Sequence, residues 1–126
     1  SGEKVKSPGV LYKHYSPRCK TLLFTADRIE DAAKAIAEES VENRRVAVLC
    51  EDRWVQVFSQ MRVTCLNLGK TDAQMAANLY LLLREAERVC DTLVAVEPIQ
   101  KSGIMKGVSN RLSKACSSSD IPHEKR

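Results

Sequence analysis

Short apolar runs alternate with longer segments in which apolar residues recur every three or four positions. The runs begin at Thr21, Val46, Val63 and Thr92, and each has the length of a strand. Residues 46–50 show no in-out alternation, which is typical of a strand covered on both faces of a parallel sheet. The β-α-β-α-β-α-β-α order predicts an α/β fold. We expect a three-layer, Rossmann-like domain with a mainly parallel sheet of about four strands flanked by helices.

The clearest predicted helix follows Gly69 and extends over about residues 72–90. Thr71 and Gln74 have the T-x-x-Q spacing of a capping box. In this motif the side chain of each residue accepts a hydrogen bond from the backbone N–H of the other. One apolar face then recurs at helical spacing, through Ala76, Leu79, Leu83, Ala86 and Cys90.

Three further helices are predicted with weaker signals. Asp27 and Glu30 have capping-box spacing before an apolar stripe, and Asn43 is predicted to end that helix. Residues 51–60 fit either a short helix or a strand, and we favour the helix because parallel strands need a crossover connection. The last helix is indicated by Val108, Leu112 and Ala115.

The chain divides into three parts by composition. Residues 1–20 lack periodicity and contain two of the four prolines, which predicts an extended linker arm. Residues 21–116 form the domain, and residues 117–126 form a polar tail expected to be disordered. Ser1-Gly2 resembles a cloning scar, so we expect the chain to be part of a longer protein.

Charge, hydropathy and cysteine spacing argue against several kinds of partner: nucleic acid, membrane and metal. The net charge is +4, and the 20 basic residues are scattered among 16 acidic ones rather than clustered as in a nucleic-acid footprint. No segment reaches the roughly 18 apolar residues of a membrane span. No cysteine pair has the spacing of a zinc or redox motif, so we expect buried free thiols in a reducing compartment; the five are Cys19, Cys50, Cys65, Cys90 and Cys116.

Motifs for chemistry are absent from the domain region. Gly69-Lys70-Thr71 follows a strand, but a P-loop needs a glycine where Thr64 stands, so Thr71 is better explained as a helix cap. The carboxylates near strand ends are expected to be solvated loop residues; they are Glu51, Asp91 and Glu97. These residues therefore predict no catalytic site and no metal site within the chain.

The arm is richer in chemistry than the domain. Tyr12, Lys13, His14 and Tyr15 can stack, donate and bind anions. Two hypotheses remain open from the residues alone: the arm closes over a nucleotide, or it folds back onto its own domain.

The segment 8–17 resembles the interdomain linker of the long form of threonylcarbamoyl-AMP synthase, whose pattern is approximately P-G-M-K-Y-R-H-Y-A-P. Lys13 replaces the arginine, which keeps the charge and loses the planar fork that binds phosphate through two hydrogen bonds. The matching residues are Pro8, Gly9, Tyr12, His14, Tyr15 and Pro17.

The resemblance continues in the C-terminal half. The segment from Asn78 to Glu85 is similar to the family's N-L-(aromatic)-x-x-L-R stretch. Glu97 and Gly103, followed by Asn110-Arg111-Leu112, are similar to its E…G…N-R-L ending. By this resemblance, Asn110 and Arg111 form a domain contact or a structural motif.

The resemblance implies a specific function for the longer protein. Such an enzyme converts ATP, threonine and bicarbonate to threonylcarbamoyl-AMP and pyrophosphate, for threonylcarbamoyladenosine formation on tRNA. A preceding YrdC-type catalytic domain would hold ATP and Mg, with Tyr12, Lys13, His14 and Tyr15 lying across its nucleotide site as a lid. This chain would contain no cofactor of its own, would meet tRNA only indirectly, and would act in the cytoplasm with no membrane partner.

Two other classes of function remain as alternatives. The domain could be an independent α/β interaction or ligand-binding module without catalysis. An RNA-binding domain that delivers tRNA is a third hypothesis, which the mild charge does not favour.

Overall fold

The computed structural model describes residues 17–41, 44–99, 107 and 110–113. Within them, four strands form one sheet with the order β1-β4-β2-β3, and every neighbouring pair is parallel. The strands are β1 (Lys20–Phe24), β2 (Val46–Cys50), β3 (Thr64–Asn67) and β4 (Thr92–Val96). The predicted parallel α/β architecture is confirmed.

Helices cover both faces of this sheet. They are α1 (Ile29–Ser40), α2 (Asp52–Phe58) and α3 (Asp72–Val89), and a 3₁₀ turn at Ala26–Arg28 precedes α1. Side chains of α1 and α2 pack on one face, and those of α3 pack on the other together with Leu112 from the helical residues 110–113. The domain therefore has three layers, as the sequence predicts.

The two central strands, β2 and β4, are buried along their whole length. Their residues alternate between the two sides: Ala47 and Leu49 face α3, whereas Val46 and Val48 face α1 and α2. Because both sides are covered by helices, neither strand needs polar residues at alternate positions.

The strand order explains which helix lies on which face. From β1 to β3 the chain moves in one direction across the sheet, and then α3 carries it back so that β4 enters between β1 and β2. Right-handed crossovers place helices on opposite faces when the direction reverses, as observed for α3 against α1 and α2.

The start of α3 confirms the predicted capping box. The Thr71 hydroxyl accepts a hydrogen bond from Gln74 N at 3.1 Å, and Gln74 Oε1 accepts from Thr71 N at 3.2 Å. Buried residues of this helix include Leu79, Leu83 and Ala86, which is the predicted face.

The predicted cap of α1 is wrong. Asp27 lies in the 3₁₀ turn, where its carboxylate accepts a hydrogen bond from the Thr25 hydroxyl at 2.6 Å. The helix begins at Ile29, and the preceding Arg28 provides no side-chain cap. It ends at Ser40, so the predicted end at Asn43 is three residues too late.

Two weaker predictions are confirmed. The ambiguous segment after β2 is helical and forms α2, whose last residue, Phe58, is buried. Residues 110–113 are helical, and Leu112 is fully buried against the α3 side. Val108 and Ala115, which also indicated this helix, lie outside the described residues.

Candidate functional site

The carboxyl edge of the sheet is the usual ligand site in open α/β domains. Glu51 follows β2 at this edge, and Glu97 follows β4. The backbone N–H of Glu97 also donates to the Phe24 carbonyl at the end of β1, at 2.8 Å. The ends of β1 and β4 are thus held together there.

Glu51 is not the solvated carboxylate that the sequence predicts. The residue is 5% exposed, and its carboxylate accepts a hydrogen bond from Ile99 N at 3.0 Å. Arg53 Nε lies 3.4 Å from the other carboxylate oxygen. Glu51 therefore ties the segment after β4 to the end of β2, which is a positioning role. Glu97 is half-buried, and this burial raises the pKa of its carboxyl.

A cleft of about 170 Å³ opens beside Glu51. Two acidic and two basic residues line it, so its walls offer little net charge to an ionic ligand. The lining consists of Glu51, Asp52, Arg53, Gly69 and Lys70.

The Gly69 turn, at the same edge, uses its backbone amides internally. Gly69 N donates to Asn67 Oδ1, and both Lys70 N and Thr71 N donate to Gln74 Oε1. A P-loop would present such amides to phosphate. Gly69 has φ 125°, and an added Cβ would meet Gln74 Cβ at 2.8 Å, so tight packing against α3 accounts for this glycine.

The N-terminal arm joins the domain at the opposite, amino edge of the sheet, where β1 begins. Pro17 is buried, and Arg18 N donates to Glu87 Oε2 on α3 at 3.2 Å. Lys20, the first residue of β1, donates from Nζ to Glu39 Oε2 on α1 at 2.9 Å. The junction is thus held by helices from both faces of the sheet.

Glu39 is the centre of this junction. Besides Lys20, its carboxylate accepts hydrogen bonds from the Thr92 hydroxyl at 3.0 Å and from Arg44 Nη1 at 3.2 Å. Burial acts to raise the pKa of Glu39. The hydrogen bonds from Lys20 and Thr92 and the charges of Lys20 and Arg44 outweigh it, so the pKa lies below its ordinary value.

A Glu39→Gln substitution should make the stability of the domain less dependent on pH in the acid range. Because the folded-state pKa is depressed, the ionised carboxylate stabilises the fold above the unfolded pKa of 4.5, and this contribution is lost as the pH falls through the folded value. We expect a deficit of about 1 kcal/mol in the free energy of unfolding at pH 7. The deficit should shrink at pH 3, as measured by urea denaturation.

Glu38→Gln is the matched control for this experiment. Glu38 is exposed and adjacent on the same helix, so its replacement should change the free energy of unfolding little at either pH. A Glu39→Gln deficit that is equal at pH 7 and pH 3 would contradict the assignment.

Asp91 is exposed, as the sequence predicts, and it lies at the amino end of β4, opposite the edge that holds Glu51 and Glu97. Its carboxylate accepts from Arg45 N at 2.9 Å and from Arg45 Nη2 at 3.0 Å. These side-chain and backbone hydrogen bonds lower the pKa of Asp91. The pair connects the starts of β2 and β4 and is structural.

The predicted arm residues Tyr12, Lys13, His14 and Tyr15 lie outside the described residues. Asn110 is exposed and Arg111 is half-buried, on the helical turn whose Leu112 packs into the core. Among the described residues, no helix has the length and apolar character needed to cross a membrane. The same part of the chain brings together no cluster of three or more side chains able to bind a metal ion.

Comparison with known proteins shows which family the chain belongs to. Residues 1–117 match the family described as the C-terminal domain of threonylcarbamoyl-AMP synthase. The chain belongs to this family. The match spans the arm and the whole predicted domain, residues 21–116.

Curated threonylcarbamoyl-AMP synthases are similar to this chain over most of its length. The Schizosaccharomyces pombe protein is 31% identical over 89% of the chain, and that of Bacillus subtilis is 30% identical over 90%. The chain spans only about a third of the length of these relatives, at 29% and 32%.

Solved structures of the Pyrococcus abyssi protein Sua5 share the fold. Its complex with L-threonine superposes with a TM-score of 0.66 and 26% identity, covering 96% of this chain and 35% of that one. A second structure is a variant in which a histidine and the adjacent tyrosine are alanine; it has a TM-score of 0.65 and 25% identity, covering 83% and 30%.

The sequence did not indicate the residues that hold the arm junction. Glu39 and Glu87 lie on different helices, 19 and 69 positions away from their partners Lys20 and Arg18. Each resembles any other charged residue on the polar face of a helix, so no local pattern singles them out.

Proposed function

We propose that this domain is the non-catalytic C-terminal part of an L-threonylcarbamoyladenylate synthase, and that it anchors the arm across the catalytic site of a preceding YrdC-type domain. The reaction is a nucleotidyl transfer that converts ATP, threonine and bicarbonate to threonylcarbamoyl-AMP and pyrophosphate. Its product serves threonylcarbamoyladenosine formation on tRNA in the cytoplasm. ATP and Mg would bind in the preceding domain.

The anchoring of residues 17–20 is the observation that carries this proposal. Buried Pro17, the Arg18–Glu87 hydrogen bond and the Lys20–Glu39 ion pair fix the base of the arm to both helical layers. A segment can act as a lid only if its ends are held. Ordering a freely moving chain at each closure costs its full conformational entropy, which makes closure unfavourable.

The chemistry explains why such a lid is useful. A carbamate and a mixed acyl-phosphate anhydride both react with water, and covering the site excludes water from them. Two features of relatives support the same hypothesis. One solved structure is a complex with L-threonine, and another carries alanine at an adjacent histidine and tyrosine. This chain has one adjacent His-Tyr pair, His14-Tyr15.

The isolated 126-residue chain should not bind ATP with micromolar affinity. The turn that most resembles a phosphate loop already uses the N–H groups of Gly69, Lys70 and Thr71. Titration calorimetry with MgATP should show no saturable heat for the chain, whereas the full-length protein should bind. A micromolar dissociation constant for the chain alone would contradict the non-catalytic assignment.

Removing this domain from the full-length protein tests the proposal directly. A protein that ends at Pro17 retains the catalytic domain and the arm but loses the residues that hold the arm. We expect it to bind ATP as the full-length protein does and to release pyrophosphate at least tenfold more slowly, because closure becomes unfavourable. Retention of ATP binding shows that the catalytic domain is folded. An unchanged rate would favour an independent interaction module.

A further inference from the structure

Two cysteines that the proposed function does not use lie in contact at the arm junction. Cys19 directly precedes β1, and Cys90 directly follows α3. Their sulfur atoms are 4.0 Å apart, although 71 positions separate them in the chain. Cys90 is 3% exposed, whereas Cys19 is only partly buried. Both are free thiols.

The backbones next to this pair are hydrogen-bonded to each other. Lys20 N, directly after Cys19, donates to the carbonyl of Asp91, directly after Cys90, at 3.2 Å. Strands β1 and β4 then pair from Lys20 and Thr92 onward. Adjacent backbone therefore holds the two sulfur atoms near each other, and a bond needs them to approach from 4.0 Å to the disulfide length of about 2 Å.

The two thiols are also chemically unequal. Cys90 Sγ lies within hydrogen-bonding distance of two acceptors, the Ala86 carbonyl at 3.2 Å and Cys19 Sγ at 4.0 Å. Donation of its single S–H to Cys19 lowers the pKa of Cys19, although burial and nearby Glu87 act to raise it. The same bond, together with burial, raises the pKa of Cys90. A thiolate is the nucleophilic form of cysteine, so Cys19 is the member of the pair poised to react first.

Cys50 and Cys65, on the other face of the sheet, differ from Cys19 both in the direction of their pKa shifts and in their distance from the arm junction. Burial raises the pKa of Cys50 to about 12 and also raises that of Cys65. They lie among the side chains packed under α1 and α2, away from the junction.

We propose that Cys19 and Cys90 form a reversible, hydroperoxide-sensitive dithiol that closes into a disulfide at the base of the arm. The Cys19 thiolate attacks one oxygen of hydrogen peroxide, the O–O bond breaks, and Cys19 sulfenic acid and hydroxide form. Cys90 then attacks Cys19 Sγ, and the sulfenic oxygen leaves as hydroxide. With the protons released by the two thiols, the products are one disulfide and two molecules of water.

The bond would covalently join the start of β1 to the end of α3. It would restrain the arm junction beyond the hydrogen bond of Arg18 to Glu87 that already exists there. A thiol reductant reverses the bond by disulfide exchange. The proposal concerns this chain alone and stands whether or not the arm acts as a catalytic lid.

Brief exposure of the 126-residue chain to a small excess of hydrogen peroxide tests this inference. After alkylation of the remaining thiols, mass spectrometry should show a loss of two hydrogens and a proteolytic fragment pair linked through Cys19 and Cys90. Dithiothreitol should restore both thiols. The melting temperature should rise by several degrees on oxidation, because the cross-link constrains the unfolded chain.

Single substitutions identify the order of attack and control for folding. In Cys90→Ser, Cys19 should accumulate as sulfenic acid and be labelled by dimedone. In Cys19→Ser, the label at Cys90 should fall at least tenfold below that level. Cys65→Ser and Cys116→Ser should still form the disulfide. A dominant disulfide through another cysteine, irreversible oxidation of Cys19 in the wild-type chain, or no reaction would overturn the proposal.

Discussion

Replacing His14 and Tyr15 with alanine in the full-length protein should lower the rate of threonylcarbamoyl-AMP synthesis on the order of a hundredfold. Both residues are in the arm motif that resembles the family's linker, and the proposed lid uses them to close the nucleotide site and exclude water. Pyrophosphate release in the presence of ATP, threonine and bicarbonate measures the effect. In the isolated chain, the same substitutions should leave the melting temperature nearly unchanged, because the arm lacks its partner surface there.

His123→Ala is the matched control, since His123 is the other histidine of the chain and lies in the predicted polar tail. It should leave the rate unchanged. Lys13→Arg restores the residue of the family's pattern and should retain or increase the rate. If the double variant keeps its rate, or if it destabilises the isolated chain by several kcal/mol, the arm is a packing element and the lid hypothesis fails.

Leu83→Ala should lower the free energy of unfolding of the isolated chain by about 2–5 kcal/mol. Leu83 is 2% exposed in the core between α3 and the sheet, where it packs with Leu79 and Leu93. Truncation to alanine removes apolar contacts and leaves a cavity that close-packed neighbours cannot fill. Urea denaturation followed by circular dichroism measures the loss.

Leu81→Ala supplies the comparison on the same helix. Leu81 is 63% exposed, so the same chemical change should alter the free energy of unfolding by less than about 0.5 kcal/mol. Equal effects at positions 81 and 83 would mean that the assignment of Leu83 to the buried face of α3 is wrong.

The helices and strands were largely predictable because their signals are local. Two local signals specify α3. The capping box of Thr71 and Gln74 marks its start, and apolar residues at helical spacing, Leu83 among them, mark its buried face. The run at β2 indicated a strand covered on both faces, which the packing confirms. The start of α1 was mispredicted because Thr25 is bound to Asp27, a side-chain pairing that competes with capping.

The roles of the charged residues were less predictable. Glu51, Glu97 and Asp91 are all carboxylates next to strands, and the sequence predicts one solvated role for them. In the fold, Glu51 is buried and binds Ile99 N, Glu97 is half-buried, and Asp91 pairs with Arg45 at the other edge. Solvation depends on which segments pack above each residue, and that is a property of the assembled fold.

Local patterns along the chain were enough for the fold class, the helix faces and the family resemblance, because each depends on residues within one turn, one strand or one short motif. Strand order, the Glu39 and Glu87 contacts that hold the arm, and the Cys19–Cys90 contact required the tertiary structure. Each of these joins residues that are far apart in the chain. Their proximity follows from β4 entering the sheet beside β1, which brings the start of β1 against the end of α3.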